Sequence, residues 1–138
     1  MTTRHPFEYV VLRVVPRVDR GESINAGVVV YCRALDYLGC RVHLDRDRLA
    51  ALDPMADPDA IARALDSVAG TCADGPSPAA GSNPAVRSSP AAGEDIGPRF
   101  RWLTAPRSTV VQPGPIHTGL TADPAAELDR LLALLVLP

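Results

Sequence analysis

Between Arg99 and Gly119 the chain places the arginines Arg99, Arg101 and Arg107, its single tryptophan Trp102, the hydroxyls of Thr104, Ser108 and Thr109, then Gln112 and His117. Guanidinium groups recognise carboxylate and phosphate oxygens, and amide, hydroxyl and imidazole groups complete polar sites. This is a poor composition for a plain core element. One reading is a polar recognition site; the other is that Phe100 and Trp102 anchor the chain while the polar residues satisfy loop backbone groups. A second polar cluster, Gly21-Glu22-Ser23-Ile24-Asn25-Ala26-Gly27, opens a strand-like run. Glu22 there has the chemistry of a general base or of an ion-pair partner for Arg107, with Asn25 to orient it. The same residues also suit an ordinary turn with a solvated glutamate. A third group, Arg13, Arg33, Arg41 and His43, forms an anion-binding patch if it shares one sheet face, or simply a solvated face.

Specific enzyme signatures are missing. The chain has no Walker glycine loop, no GxGxxG, no HExxH and no GxSxG elbow. Ser108 and His117 have the types of a nucleophile and base, but sequence supplies no orienting acid for them. A two-histidine phosphoesterase requires a hydroxyl two places after each histidine, whereas His43 is followed by Leu44-Asp45 and His117 by Thr118-Gly119.

The elements that must position these residues read as α+β: an antiparallel sheet of three to five strands with two or three helices packed on one face. Phe7–Val15, Ile24–Arg33 and Leu38–Leu44 are rich in β-branched residues and separated by turn signals, which predicts an antiparallel meander. Alternation puts Ile24, Ala26, Val28, Val30 and Cys32 on a core face with Leu38, Cys40, Val42 and Leu44, and leaves the opposite face polar. Asp45 or Asp47 caps a short helix that ends at Asp53-Pro54. Asp57-Pro58 starts a second helix, with Ile61, Leu65 and Val68 on one stripe and a stop at Gly70. Asp123-Pro124 starts a third, whose Leu128, Leu131, Leu132 and Leu135 follow the i, i+3, i+4, i+7 pattern. Thr109-Val110-Val111 is the best further strand. Residues 74–96, rich in Pro, Ala, Gly and Ser, are predicted to be a disordered insert within a single domain spanning 1–138.

Composition narrows the function classes. The 138 residues suffice for one hydrophobic core, and with 4% aromatics that core must be aliphatic. A net charge of −2, from 14 basic and 16 acidic side chains, offers no general positive field, so nucleic acid is a disfavoured partner. Met1-Thr2-Thr3-Arg4-His5-Pro6 leads straight into a strand-like run, and no apolar stretch reaches the roughly 18 to 20 residues of a membrane span; the expectation is a cytoplasmic protein. Cys32, Cys40 and Cys72 have no metal-ligand spacing, so reduced thiols are expected and neither metal nor cofactor is. A redox pair of Cys32 with Cys40 across a hairpin is the alternative.

Tyr9-Val10-Val11-Leu12-Arg13-Val14-Val15-Pro16, Gly21-Glu22-Ser23-Ile24-Asn25-Ala26-Gly27-Val28, and Arg99-Phe100-x-Trp102-Leu103-x-Ala105-Pro106-Arg107-Ser108-Thr109 with Gln112 and His117-Thr118-Gly119 together resemble the bacterial domain-of-unknown-function family numbered 3037. The resemblance covers nearly the whole chain outside the insert. It implies interest in Arg13, Glu22, Asn25, Arg107, Ser108, Gln112 and His117, and Gly114 stands where the family pattern has a serine. No activity comes with it. Such proteins are often encoded beside a HipA-like kinase, which implies a toxin-antitoxin or regulatory pairing.

The leading expectation is therefore an accessory or protein-interaction domain, a partner of a HipA-like kinase, with Arg13, Glu22, Asn25, Arg99, Trp102, Arg107, Ser108, Gln112 and His117 as its recognition surface. The rival is a small enzyme or a nucleotide- or phosphate-ligand-binding protein that uses the same residues. Because loop closure depends only logarithmically on length, replacing Gly75–Gly93 by a short Gly/Ser linker is expected to leave stability nearly unchanged. A urea titration checks this, and a loss above about 2 kcal/mol contradicts it.

Overall fold

The computed structural model describes residues 2–74 and 96–138, so the insert expected at 74–96 lies outside the described residues except at its two ends. Among the described residues the fold is α+β, a five-stranded antiparallel sheet with four helices. Three strands come first, β1 (His5–Val14), β2 (Ile24–Cys32) and β3 (Tyr37–Val42); helices α1 (Arg46–Leu52), α2 (Pro58–Asp74) and α3 (Ile96–Leu103) follow. The chain then returns through β4 (Val111–Pro113) and β5 (His117–Thr121) to α4 (Pro124–Leu135). Among the described residues no helix is long and apolar enough to cross a membrane.

Strand β1 is the spine of the sheet. Along one edge it pairs with β2, which pairs in turn with β3. Along its other edge it meets β5 over His5–Tyr9 and β4 over Leu12–Val14, and the Gly114 amide donates to the Val11 carbonyl between them at 2.8 Å. Residues 111–121 thus act as one return strand interrupted by an irregularity at 114–116. The expected strand at Thr109-Val110-Val111 begins later, at Val111, and β5 is an addition, because Pro113, Gly114, Pro115 and Gly119 read locally as breakers while β1 supplies the ladder.

The register divides the side chains differently from simple alternation. Residues 33–36 close the β2–β3 hairpin, with Asp36 in the left-handed region (φ 51°), and this sets Cys32 opposite Tyr37, Tyr31 opposite Leu38 and Val29 opposite Cys40. Leu38, Cys40 and Val42 therefore share a face with Val29 and Tyr31, not with Val28, Val30 and Cys32. Neither face is polar over β2, where Ala26 to Cys32 are all buried. On one side α4 covers Phe7, Val28, Val30 and Cys32 with Leu128, Leu131, Leu132 and Val136. On the other, Cys72 of α2 and Phe100 and Leu103 of α3 cover Val10, Leu12, Val29 and Tyr31, while Leu49 of α1 with Ile61 and Leu65 of α2 cover Val14 and Ala26. The expected helices α1 and α2 pack on one face, α3, which sequence left as merely ordered chain, joins them there, and α4, expected beside the first two, closes the opposite face instead.

The caps form where sequence placed them. The Asp45 carboxylate accepts from the Arg48 amide, Asp57 from those of Asp59 and Ala60, and Asp123 from that of Ala126, each at 3.1 Å. Helix α2 does not stop at Gly70; it continues to Asp74 because Cys72, one turn on, is buried against the sheet and its carbonyl is held by Arg99.

Gly27 lies where β2 comes closest to its neighbours. A Cβ there would stand 2.9 Å from the Arg41 carbonyl oxygen, 3.0 Å from Val42 Cγ1 and 3.1 Å from Leu12 Cδ1. Gly27→Ala is expected to destabilise the fold by about 1–3 kcal/mol, since one of these contacts is to backbone that cannot turn aside. Urea denaturation followed by circular dichroism checks the value.

Candidate functional site

Cross-strand partners share a face, and the registers on the two edges of β1 bring three of the singled-out residues into one row. Arg13 stands opposite Asn25 on β2 and opposite Gln112 on β4. The ladder shifts between Leu12 and Arg13, so Ala26 bulges and Asn25 reaches the α4 side of the sheet. Asn25 is half-buried, and its Nδ2 donates to the Leu135 carbonyl at 3.1 Å, which satisfies an acceptor in the last turn of α4. Gln112 donates from Nε2 to the Thr109 carbonyl at 2.7 Å.

Arg13 is exposed and makes no ion pair or hydrogen bond with other described residues. Its guanidinium lies over Gly114: a Cβ on that glycine would be 3.2 Å from Arg13 Cζ and 3.2 Å from the Val11 carbonyl oxygen. The glycine that replaces the expected serine is thus the floor on which Arg13 rests. Farther along the same face, His117 stacks on Tyr9 with ring centroids 5.1 Å apart. Arg13, Val11, Tyr9, Gln112, Gly114 and His117 form a shelf beside α4, with Arg13 and His117 exposed and the rest half-buried. Tyr9 and Gly114 were not singled out by residue type. The signal for Tyr9 was its period-two spacing from Arg13; Gly114 was named only for the serine it replaces, and it is the irregularity at 114–116 that brings it under the guanidinium.

The remaining residues go elsewhere. Arg99 is buried at 4% exposure, and its Nη1 donates to the Cys72 and Ala73 carbonyls at 3.1 and 3.4 Å, so it closes the end of α2 and belongs to no recognition surface. Trp102 and Arg107 make their own patch at the end of α3, in the layer across the sheet from Arg13. The Arg107 guanidinium sits 4.5 Å from the Trp102 ring centroid and donates to the Trp102 carbonyl. Burial of Arg107 lowers its pKa from the usual guanidinium value. Ser108 is exposed beyond it. Glu22 is exposed in the β1–β2 turn and pairs with Arg20, so the expected Glu22–Arg107 ion pair does not form. The arginines expected on one polar sheet face also scatter: Arg41 pairs with Asp129 of α4 at 2.7 Å, Arg33 borders a separate cleft with Asp36 and Arg101, and His43 lies past the end of β3. That cleft, of about 610 Å³, and two smaller ones of about 330 Å³ are lined by residues other than the shelf. Among the described residues no group of three or more His, Cys, Asp or Glu side chains could hold a metal ion.

The family model described as a protein of unknown function (DUF3037) matches residues 9–136. The chain belongs to that family. Comparison with curated proteins and with solved structures finds no match. The DUF3037 match spans β1 to the end of α4, so both edges of the Arg13 row and the helix that Asn25 holds fall within the matched region.

Asn25 is the structural member of the row. Asn25→Ala is expected to cost about 1 kcal/mol, the usual worth of a half-buried neutral hydrogen bond. The check is an equilibrium denaturation, with faster amide exchange in the last turn of α4 as the local signature.

Proposed function

We propose that this member of the DUF3037 family is an accessory, protein-interaction domain that docks a partner on the shelf formed by Arg13, Gln112, Gly114, Tyr9 and His117. The observation that carries the reading is the state of Arg13. Its guanidinium is exposed, has no partner among the described residues, and is flanked by two amide side chains that are tied to backbone carbonyls. Such a guanidinium is free to donate hydrogen bonds to an acidic or carbonyl-rich surface. The half-buried Val11 and Tyr9 give the shelf an apolar centre, the arrangement of a protein interface with a polar rim.

A small-molecule site would be concave and would gather Arg107 with Arg13, Gln112 and His117. Arg107 instead spends its charge on the Trp102 ring, and the clefts above lie away from the shelf. The geometry therefore favours the interaction reading over the enzyme or phosphate-ligand reading. Support for a HipA-like kinase as the partner is the resemblance alone, which makes such a kinase the first protein to test.

The experiment is a pull-down from native cells at natural abundance, followed by titration of the recovered partner, or of a HipA-like kinase, against Arg13→Ala, Gln112→Ala and the double variant. The melting temperature is expected to stay put, because exposed substitutions change stability by less than about 0.5 kcal/mol. Affinity is expected to fall at least about tenfold, or 1.4 kcal/mol, for Arg13→Ala. Unchanged affinity in the double variant moves the interface off the shelf.

A further inference from the structure

The shelf leaves two cysteines unused, and the fold brings them together from opposite ends of the α2 layer. Cys40 sits on β3, on the face that α2 covers, opposite Val29. Cys72 lies in the last turn of α2, 2% exposed, in the cluster against which Cys40 packs. Both line one groove of about 330 Å³ between β3, α2 and α4, with Tyr37, Leu38, Ala69, Ala73 and Leu128 among its other walls. A groove of that volume, lined by both cysteines, admits a molecule of a few atoms. Cys32, on the other side of the sheet, is fully buried and its thiol points to the Pro6 carbonyl at 3.5 Å. The Cys32–Cys40 pairing suggested by their spacing is thus excluded by the pleat, and Cys72 takes its place.

We infer that Cys40 and Cys72 form a peroxide-reactive dithiol site, closing to a disulfide that ties β3 to the end of α2. The chemistry is asymmetric in a useful way. The hydrogen bond from Cys40, joined by the charge of Arg99 and opposed by burial, pulls the Cys72 thiol below its ordinary value. The same hydrogen bond, ahead of burial, pushes Cys40 up. Cys72 is the more readily ionised thiol of the pair and Cys40 its resolving partner.

In the first step the Cys72 thiolate attacks one oxygen of hydrogen peroxide. The S–O bond forms, the O–O bond breaks, and the departing hydroxide takes a proton to leave as water; Cys72 is now a sulfenic acid. In the second step the Cys40 sulfur attacks the Cys72 sulfur. The S–S bond forms, the S–O bond breaks, and the hydroxide leaves as a second water. Two electrons pass from the thiols to the peroxide, and both thiol hydrogens end in water. The groove between β3 and α2 then has a covalent wall. This site is independent of the shelf, so its failure leaves the docking surface untouched.

The test treats the full chain with a small excess of hydrogen peroxide, then quenches it with an alkylating agent and follows intact mass and non-reducing peptide maps. The expected product is monomeric, lighter by about 2 Da, with one alkylatable thiol left at Cys32 and a Cys40–Cys72 cross-linked peptide. Cys40→Ser is expected to stop at a sulfenic acid on Cys72 that dimedone traps. Cys72→Ser is expected to lose the mass shift. The cross-link map on the unsubstituted chain decides the matter even if a variant fails to fold. A disulfide that includes Cys32, a cross-link between chains, or three thiols still alkylatable after a glutathione control is fully oxidised would overturn the site.

Discussion

Strand β2 is covered on both faces, and the other elements are arranged around that constraint. Seven consecutive residues, Ala26 to Cys32, are buried, so two separate helical layers must be found for a single strand. Each fully buried aliphatic side chain contributes about 1.5–3 kcal/mol relative to exposure, and in a chain this poor in aromatics those contributions come almost wholly from Val, Leu and Ile. One layer is supplied by α1 to α3, which precede the return strand; the other falls to α4, which follows it. Helix α4 lies over β2 and β3, and so the α4-side residues of β1 from Tyr9 to Arg13 are left half-covered or open. The shelf is what remains when one helix has to cover the centre of the sheet and cannot also reach its far edge.

The arginines divide by the same logic. Arg17–Asp19, Arg20–Glu22, Arg41–Asp129 and Arg46–Asp59 are exposed pairs whose attraction is largely screened by water, so they hold little of the fold together. The buried Arg99 is different in kind. It is bound to carbonyls that a helix end leaves without partners, and a charge in that position is stabilised by the negative end of the α2 dipole as well as by the hydrogen bonds. Arg13 belongs to neither group, and its place on β1 between Asn25 of β2 and Gln112 of β4 sets it apart from the other exposed arginines.

Local signals carried much of this fold. The Asp caps, the Leu stripe of α4 and the first three strands depend on residues within a turn or two of one another, and sequence periodicity reports such relations directly. Register does not work that way. Whether Cys40 faces Cys32 or Cys72 depends on the length of the 33–36 loop and on which helix returns to which side, and a shift of one residue reverses every side chain. The short strand β5 was hidden for a related reason: its own residues are weak strand formers, and β1 supplies the pairing that makes it one. The site shows the same division. Arg13, Asn25, Gln112 and His117 were legible as polar residues in unusual places, whereas Glu22, Arg99 and Arg107 each found a partner close by that sequence offered no reason to prefer.

Arg99 also explains why one stretch of sequence can serve two unrelated purposes. The segment from Arg99 to His117 resembles a single motif, but its first part is committed to the helix layer by Phe100, which stacks on Tyr31 at 5.0 Å, and by the hold of Arg99 on α2. Only after Pro106 does the chain cross to the edge of β1, where Gln112 meets Arg13. Arg99 of α3 is thereby tied to the last turn of α2 through the Cys72 carbonyl. The Asn25–Arg13–Gln112 row is set by the pairing of β1 with β2 on one edge and with β4 on the other, so its register follows from the ladder rather than from either helix layer.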